Sequence, residues 1–344
     1  MYQKTWVLQS AAYELTLRCN MQCIHCGSSA GDARKKELTT EQWNNATKEL
    51  AVMHCKDIAL IGGEPFLNPS WFEIAKDIKD LSMNVSVVTN GWCVNDHIIS
   101  QLRSLEPYAV AVSIDGGSSM IHDTIRQQQG SFARCLTALD RLTNANIPTT
   151  VVTTLHKKNI HDLSRLRALL AHKKIAWQLQ LAAPIGRFPK ELALSKDEFY
   201  AAALFIASTR KQYSLQELPI IGAHCFGYYS QVLPNINLIP IWRGCQAGIS
   251  LIGIQSDGGV KGCLSLPDDL VEGNVTTSSL ADIWDNSQSF SYNRLFSIKD
   301  LTLDCVECKY GKKCKGGCLS VSTAMTEKQH GDPFCLHAIE KQFE

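Results

Sequence analysis

The sequence lacks the features that mark exported, membrane-spanning and nucleic-acid-binding proteins. It has no run of about 18 apolar residues, which a membrane-spanning helix needs, and no apolar stretch near its start that could act as a secretory signal. Its net charge is only +1, whereas nucleic-acid-binding proteins usually carry a basic face. We therefore expect a cytoplasmic protein with no membrane and no nucleic acid among its partners.

The chain is rich in cysteine instead. It has 14 cysteines among 344 residues, and thiols in a chain without an export signal tend to be metal ligands rather than disulfides. Three lie within residues 19–26 and seven lie between residues 245 and 335. The scattered Cys55, Cys93 and Cys135 fit small buried side chains. The two clustered groups predict metal centres.

The first group follows the strand-like run Tyr13–Leu17 and has the spacing Cys19-X3-Cys23-X2-Cys26. Thiolates favour iron–sulfur clusters or zinc. A [4Fe–4S] cube has four irons to satisfy, so three local cysteines leave one iron open to a ligand that is not protein. An open iron predicts catalysis. A small zinc site completed by His25 is the alternative that the spacing leaves open.

Short apolar strands alternate with amphipathic helices over the first 212 residues. The predicted strands span residues 13–17, 57–61, 85–89, 109–114, 149–154 and 175–181. The predicted helices span residues 39–53, 69–81, 96–105, 131–144, 162–171 and 196–212. This alternation predicts a parallel sheet with helical crossovers. Six such units favour an α/β fold of the partial (β/α)6, TIM-type barrel kind, with reactive groups at the carboxyl ends of the strands, although periodicity alone also fits a doubly wound sheet.

Residues able to hold a small ligand follow the predicted strands at this edge. The second strand leads into a Gly-Gly-Glu-Pro run at 62–65, where glycine lets the backbone approach a ligand and a carboxylate can receive an ammonium group. The third strand leads into Asn90, and the fourth ends in Ser113–Asp115, whose hydroxyl and carboxylate can bind a ribose or an amino-acid group. Arg126 could pair with a carboxylate. The segment 184–187 faces the same edge, with no ligand to assign.

The cysteine loop (residues 18–26) and the Gly-Gly-Glu-Pro run together resemble the radical S-adenosylmethionine (SAM) enzymes. Their signature is Cys-X3-Cys-X-aromatic-Cys, and His25 stands here in the position that is usually aromatic. The resemblance implies a [4Fe–4S] cluster on Cys19, Cys23 and Cys26 whose open iron is chelated by the amino and carboxylate groups of SAM. It also implies a set of SAM contacts: His25 beside the adenine, Gly62, Gly63 and Glu64 at the ammonium, Asn90, Ser113 and Asp115 at the strand ends, and Arg126 at the carboxylate.

The second cysteine group lies in the last hundred residues. Cys245 is followed by Gly258 and Cys263, then by the run Cys305-X2-Cys308-X5-Cys314-X3-Cys318, with Cys335 after a gap. A single zinc ribbon would use four of these seven cysteines and leave three unexplained. The pattern resembles the cysteine-rich SPASM extension of radical SAM enzymes.

The SPASM resemblance implies two auxiliary [4Fe–4S] clusters, which makes three clusters in all. One would be held by Cys245, Cys263 and Cys318, and the other by Cys305, Cys308, Cys314 and Cys335. Cys225 is a candidate fourth ligand for the first cluster, which would otherwise have an iron open to substrate. The chain would divide into a radical SAM barrel at 1–205, a bridging region at 206–240 and a SPASM domain at 241–344.

Two departures from the family narrow the expected function. Sulfatase-maturing relatives carry an aspartate base directly after the cysteine that corresponds to Cys263, whereas this chain has Leu264, so a sulfatase-type oxidation is not expected. Many peptide-modifying relatives have a leader-binding domain before the barrel. The 18 residues before Cys19 leave no room for one, so a separate leader-peptide-binding protein is an expected partner.

These features predict a SPASM-type radical SAM oxidoreductase that acts on a ribosomally made precursor peptide. By resemblance, it would cleave SAM reductively to methionine and a 5′-deoxyadenosyl radical, with an electron from a donor such as flavodoxin or ferredoxin. Hydrogen abstraction from the peptide would lead to an oxidative C–C, C–O or C–S cross-link. Three alternatives stay open: a reaction on a tetrapyrrole side chain, peptide epimerisation, and electron transfer or cluster carriage without catalysis.

Overall fold

The computed structural model describes residues 6–237 and 241–343, so the predicted domain limits at residues 1, 240 and 344 lie outside the described residues. The strands are β1 (Ser10–Glu14), β2 (Asp57–Ile61), β3 (Asn84–Thr89), β4 (Ala109–Ser113), β5 (Thr149–Leu155), β6 (Ala176–Leu181), β7 (Ile220–Gly222), β8 (Leu251–Ile254), β9 (Gly259–Lys261) and β10 (Gly273–Asn274). The helices are α1 (Thr40–Val52), α2 (Trp71–Asp80), α3 (Asp96–Leu105), α4 (Ser119–Arg126), α5 (Ser131–Asn144), α6 (Leu163–Leu170), α7 (Lys196–Gln212), α8 (Leu280–Asp285), α9 (Ser291–Arg294), α10 (Gly311–Cys314), α11 (Leu319–Thr326) and α12 (Leu336–Glu340).

The strands form one sheet in the order β10-β9-β8-β1-β2-β3-β4-β5-β6-β7. Strands β1 to β7 are parallel and lie in chain order, as expected when helical crossovers join neighbouring strands. This confirms the predicted α/β fold with a TIM-type parallel sheet. The sheet also continues beyond β1, because β8 pairs with β1 in parallel, with Ser10 opposite Leu251.

The sheet runs across all three predicted segments of the chain. Strand β7 comes from the bridging region, and β8 to β10 come from the cysteine-rich part. Strands of two to four residues are too short to show a period of two, so apolar alternation could not predict them. The division of the chain at 205 and 240 stays a prediction.

Alternate side chains of the strands fill the core with apolar groups. Val85 and Val87 of β3 and Val110 and Val112 of β4 are fully buried, whereas the residues between them are only partly buried, as expected where one face of the sheet packs against the helices. Three helices, α3, α5 and α7, have the predicted bounds. In the part of the chain that the structure describes, no helix is long and apolar enough to cross a membrane.

The first strand differs from its predicted bounds. It spans Ser10–Glu14 rather than 13–17, because the backbone after Glu14 leaves the sheet and begins the connection that carries the cysteine loop. The Glu37 carboxylate holds this departure in place by accepting hydrogen bonds from the Leu17 amide at 2.8 Å and the Thr16 hydroxyl at 2.8 Å. Hydrogen bonds to the Glu37 side chain therefore take the place of strand pairing at Thr16 and Leu17, where apolar alternation predicted a strand.

The two glycines after β2 let its end touch the backbone that leads into the cysteine loop. Gly62 has φ +140°, which favours glycine. A Cβ atom at Gly63 would lie 2.2 Å from the Arg18 carbonyl oxygen, and one at Gly62 would lie 2.3 Å from the Thr16 carbonyl oxygen. Because the opposing atoms belong to the backbone, they cannot turn away as a side chain would.

We predict that Gly63→Ala destabilises the fold by at least about 1–3 kcal/mol, the usual range for overpacking. The matched control is Gly31→Ala, because a Cβ atom at Gly31 meets no atom within 4 Å. Urea unfolding of the cluster-free proteins measures both effects. Equal destabilisation by the two substitutions would contradict the steric account.

Candidate active site

The carboxyl ends of the parallel strands surround a cavity of about 340 Å³, called here the main cavity. Cys19, Cys23 and Cys26 line it from one side. Three cysteines from the later part of the chain line it as well: Cys225, Cys263 and Cys318. The fold therefore brings together two cysteine groups that are far apart in sequence.

The segment 184–187, which had no ligand to assign, fastens the cysteine loop. The Arg187 guanidinium donates to the carbonyl of Ala30 at 2.6 Å and to that of Cys23 at 3.3 Å, and its backbone amide donates to the Cys26 carbonyl at 3.0 Å. A Cβ atom at Gly186 would lie 2.4 Å from the Gly27 carbonyl oxygen. These contacts hold the cysteine loop at the carbonyls of Cys23 and Cys26, and the backbone that follows it at Ala30.

Each thiol of the cysteine loop faces a hydrogen-bond donor. The Asn90 side-chain amide nitrogen lies 3.8 Å from the Cys19 sulfur, and the Arg126 guanidinium lies 3.8 Å from the Cys23 sulfur. The Ala30 backbone amide lies 3.3 Å from the Cys26 sulfur. Burial raises the pKa of Cys19 to about 11 and raises that of Cys23, although the Arg126 charge opposes the rise. Burial makes these thiols costly to ionise on their own, but each has a hydrogen-bond donor beside it. This environment suits cysteines that are held as thiolates by a cationic metal centre.

An ion pair lies behind the loop, between Asp115 at the end of β4 and Arg126 at the end of α4. Arg126 Nη2 is 2.6 Å from Asp115 Oδ2, and the Asp115 side chain is fully buried. The Thr154 amide donates to the other carboxylate oxygen at 2.9 Å. Burial opposes ionisation of Asp115, but the charge of Arg126 outweighs it and, with His25, lowers the pKa of this carboxyl to about 2. The carboxylate is therefore charged at neutral pH.

His25 contributes a neutral imidazole to the wall of the main cavity. Its Nε2 lies 3.3 Å from Asp115 Oδ2, and burial lowers the pKa of the ring to about 3 despite the nearby carboxylate. Its Nδ1 has no hydrogen-bond partner among the described residues. The His156 ring lies beside it, with ring centroids 5.6 Å apart. His25 thus has one nitrogen available to a bound group.

Glu64 lies behind the cavity wall rather than in it. Its fully buried carboxylate accepts hydrogen bonds from the Thr89 hydroxyl and from the Asn90 backbone amide, both at 2.8 Å. Burial raises its pKa to about 7. The side chain joins the ends of β2 and β3, whereas Gly62 and Gly63 line the cavity. Glu64 is not among the residues that line the cavity, and the predicted ammonium contact of residues 62–64 stays a prediction.

The structure brings most of the predicted ligand-contacting residues to the main cavity. Its lining includes His25, Gly62, Gly63, Asn90, Ser113 and Arg126. Asp115 reaches it through Arg126 and His25. The sequence placed the segment 184–187 at this edge but assigned no ligand to it. His156, which stands in no motif, was not predicted, and α4 was not predicted because eight residues give a weak helical period.

The predicted auxiliary ligands fall into two sets. Cys245, Cys263 and Cys318, called the first auxiliary set, line a second cavity of about 490 Å³. A hydrogen bond between Cys245 and Cys318 lowers the pKa of the Cys245 thiol and raises that of Cys318. The second auxiliary set lines a small cavity of about 20 Å³ and consists of Cys305, Cys308, Cys314 and Cys335.

Cys225 lies beside the first auxiliary set. It shares the lining of the main cavity with Cys263 and Cys318, and burial raises its pKa to about 11, with the charge of Cys263 adding to the rise. All 14 cysteines in the described ranges are free thiols. No three histidine, cysteine or acidic side chains within those ranges converge tightly enough to hold a single metal ion.

The Asp115–Arg126 pair gives a direct test of this geometry. Removing one partner of a buried ion pair typically costs about 3–5 kcal/mol, so Asp115→Asn and Arg126→Met should each lower the free energy of unfolding by that order. The double variant should lose clearly less than the sum, because the two groups interact. The control is Asp80→Asn, which breaks the exposed Lys76–Asp80 pair and should cost about 0.5 kcal/mol or less. Additive losses in urea unfolding would argue against the pair.

Known proteins match this chain over both of its cysteine-rich parts. Residues 13–170 match the Radical SAM superfamily, and residues 245–318 match SPASM, an iron–sulfur cluster-binding domain. The AdoMet-dependent heme synthase of Methanosarcina barkeri is 27% identical over 342 residues, which cover 96% of this chain and 97% of that protein. The mycofactocin maturase MftC of Mycolicibacterium smegmatis is 25% identical over 96% of this chain and 84% of its own. The sporulation killing factor maturation protein SkfB of Bacillus subtilis is 34% identical over 80% of this chain and 64% of its own.

Solved structures agree with this at the level of the fold. SuiB of Streptococcus suis bound to S-adenosylmethionine matches with a TM-score of 0.75 at 14% identity, over 91% of this chain and 74% of that one. Native anSMEcpe with bound AdoMet matches with a TM-score of 0.74 at 15% identity, over 98% of this chain and 96% of that one. The chain belongs to the radical SAM superfamily, carries a SPASM iron–sulfur domain, and is an enzyme.

Proposed function

We propose that this enzyme modifies a ribosomally made precursor peptide by an oxidative step that forms a C–C, C–O or C–S cross-link. The observation that carries the proposal is the main cavity, which is lined both by Cys19, Cys23 and Cys26 and by Cys263 and Cys318 of the first auxiliary set. A substrate in this cavity would lie between two redox centres. When bound, SAM and the clusters supply a 5′-deoxyadenosyl radical on one side and an acceptor for the second electron on the other.

We propose three [4Fe–4S] clusters, one on the cysteine loop and one on each auxiliary set, together with bound SAM. The cysteine loop supplies three thiols, each with a donor beside it, and the second auxiliary set supplies four around one cavity. We propose Cys225 as the fourth thiol of the first auxiliary set. For SAM, the supporting features are the glycine backbone at 62–63, the unpartnered His25 Nδ1 and the polar strand ends.

The protein itself would orient SAM and keep water from the reacting atoms. Asp115 holds both His25 and Arg126 at the cavity wall, so the groups facing the adenosine and the carboxylate are fixed relative to each other before SAM binds. Burial of the Cys23 side chain, whose backbone carbonyl is also held by Arg187, would protect reactive intermediates. We propose a flavodoxin- or ferredoxin-type electron donor and a separate leader-binding protein as partners.

A reaction on a tetrapyrrole side chain is the second candidate. The heme synthase of Methanosarcina barkeri matches over nearly its whole length, which favours it. Against it, tetrapyrroles carry several carboxylates, and the described lining of the main cavity holds only two arginines, Arg126 and Arg187, of which Arg126 is paired with Asp115. We therefore favour a peptide. MftC and SkfB, by their names, are maturation proteins, and SuiB has been solved with a precursor peptide, SuiA.

Iron content tests the cluster assignment. We expect about twelve irons per chain after anaerobic reconstitution, and a loss of about four in the triple variant Cys19→Ala/Cys23→Ala/Cys26→Ala. Cys225→Ala should lose up to about four from the first auxiliary set. The control is Cys55→Ala, whose buried thiol donates to the backbone carbonyls of Gln9 and Asp57, near the starts of β1 and β2, and it should keep all the iron. Only the triple variant should fail to form 5′-deoxyadenosine from SAM and dithionite; tightly bound zinc with little iron would refute the assignment.

The substrate class is tested by mass spectrometry. The chain is co-expressed with a small peptide encoded beside it, and separately the reconstituted enzyme is incubated with a carboxylated porphyrin, SAM and dithionite. A loss of two hydrogens per modification of the peptide supports cross-linking. A peptide whose mass is unchanged in ordinary water but rises through deuterium incorporation in heavy water would point to epimerisation. Decarboxylation of the porphyrin would establish the second candidate. The triple alanine variant is the control in each arm, because it should produce none of these changes.

A further inference from the structure

Two aromatic side chains cross between the auxiliary sets, and each touches both. The Tyr228 ring lines the cavity of the second auxiliary set, while its hydroxyl accepts a hydrogen bond from the backbone amide of Cys318, in the first set, at 2.8 Å. Trp242 is arranged in the opposite sense. Its ring lines the cavity of the first auxiliary set, while its indole N–H donates to the backbone carbonyl of Cys314, in the second set, at 3.2 Å.

The two rings also contact each other. Their centroids are 4.6 Å apart and their planes are inclined by 41°, a common geometry for an aromatic pair. Trp242 is 2% exposed and Tyr228 is 9% exposed. The result is a continuous contact from Cys318 through Tyr228 and Trp242 to Cys314, closed off from solvent for most of its length.

The surroundings fix Tyr228 in this position. The Asp332 carboxylate accepts hydrogen bonds from the Tyr228 hydroxyl and, at 3.3 Å, from the Cys318 amide. The chain can approach this closely because residue 317 is glycine, with φ +82°, where a Cβ atom would lie 2.7 Å from the Tyr228 ring. Partners just outside a metal's ligands commonly orient those ligands and tune the metal, and hydrogen bonding near the sulfurs is one factor that sets the potential of an iron–sulfur cluster.

We propose that Tyr228 and Trp242 form the path by which one electron crosses from the first auxiliary set to the second. The inference rests on the proposed function, which places a cluster on each set. One electron leaves the first centre and one enters the second, and no bond forms and no proton moves. The electron comes from the substrate radical, which is thereby oxidised, and it leaves to an oxidised one-electron carrier of the flavodoxin or ferredoxin class. Tyr228 and Trp242 are thus positioning residues rather than catalytic ones.

The test uses the full reconstituted chain with Cys19, Cys23 and Cys26 replaced by alanine, so that the auxiliary centres give the only iron–sulfur signals. Flash photoreduction delivers less than one electron per molecule, and EPR of samples frozen at increasing times follows how that electron redistributes between the two centres. The double variant Tyr228→Phe/Trp242→Phe keeps an aromatic ring at both positions, with a phenyl ring in place of the larger indole at 242, and removes both crossing hydrogen bonds. We expect redistribution to slow by about tenfold or more, with the iron content unchanged.

The matched control removes the same two chemical groups elsewhere. In Tyr13→Phe/Trp177→Phe, the lost partners are the Thr47 hydroxyl, 3.1 Å from the Tyr13 hydroxyl, and the Thr153 hydroxyl, 2.9 Å from the Trp177 indole nitrogen. Both tyrosine and tryptophan lie in the core of the barrel, and this variant should redistribute the electron at the unsubstituted rate.

Three outcomes would overturn the proposal in distinguishable ways. An unsubstituted rate in the Tyr228→Phe/Trp242→Phe variant, with full iron, removes the path and leaves the proposed function intact. Loss of iron from either auxiliary set in that variant means that the two residues only hold the fold. A background protein with clearly fewer than about eight irons removes the auxiliary clusters themselves, and the proposed function fails together with this inference.

Discussion

The buried ion pair between Asp115 and Arg126 is the interaction on which the rest of the active site depends. Its carboxylate is fixed by the start of the segment after β4 and by the Thr154 amide of β5, and its guanidinium comes from the last residue of α4. Arg126 also reaches the Cys23 sulfur, and Asp115 reaches the His25 ring. Four separate parts of the chain therefore meet at one pair of charges. Because the Asp115 and Arg126 side chains are buried, each of these contacts is electrostatically strong, and an unpaired member would be costly.

Much of the fold could be predicted from the sequence because its signals are local. Three helices have their predicted bounds, and the order of the first six strands follows from their alternation with helices. The cysteine spacings also predicted correctly which parts of the chain would be cysteine-rich sites of the radical SAM and SPASM kind. These features depend on residues that are near each other in sequence, where apolar periodicity and motif spacing are informative.

The remaining features depend on contacts that no local pattern encodes. Arg187 fastens the cysteine loop from a turn more than a hundred residues away, and Cys225 joins Cys263 and Cys318 only through the fold. Glu64 shows the converse case. Its motif predicts a ligand contact, and the structure adds what the motif could not: the carboxylate is fully buried and accepts hydrogen bonds from the Thr89 hydroxyl and the Asn90 backbone amide, which join β2 to β3. A motif fixes which residue types are present, whereas burial and neighbours decide which atoms face the ligand.

The pairing of β8 with β1 has a consequence for how the protein is made. Strand β1 leads directly into the cysteine loop, and within the described part of the chain one of its two edges pairs with β8 alone. Glu14 at its end also accepts a hydrogen bond from the Ser256 hydroxyl at 3.0 Å. A ribosome delivers β2 early and β8 late, so during synthesis β1 stands with one edge unpaired for most of the elongation time. An open strand edge invites pairing with other chains. The nascent barrel is thus exposed to misassembly until the cysteine-rich part emerges, and the strand that positions the radical centre is completed by the domain that holds the auxiliary thiols.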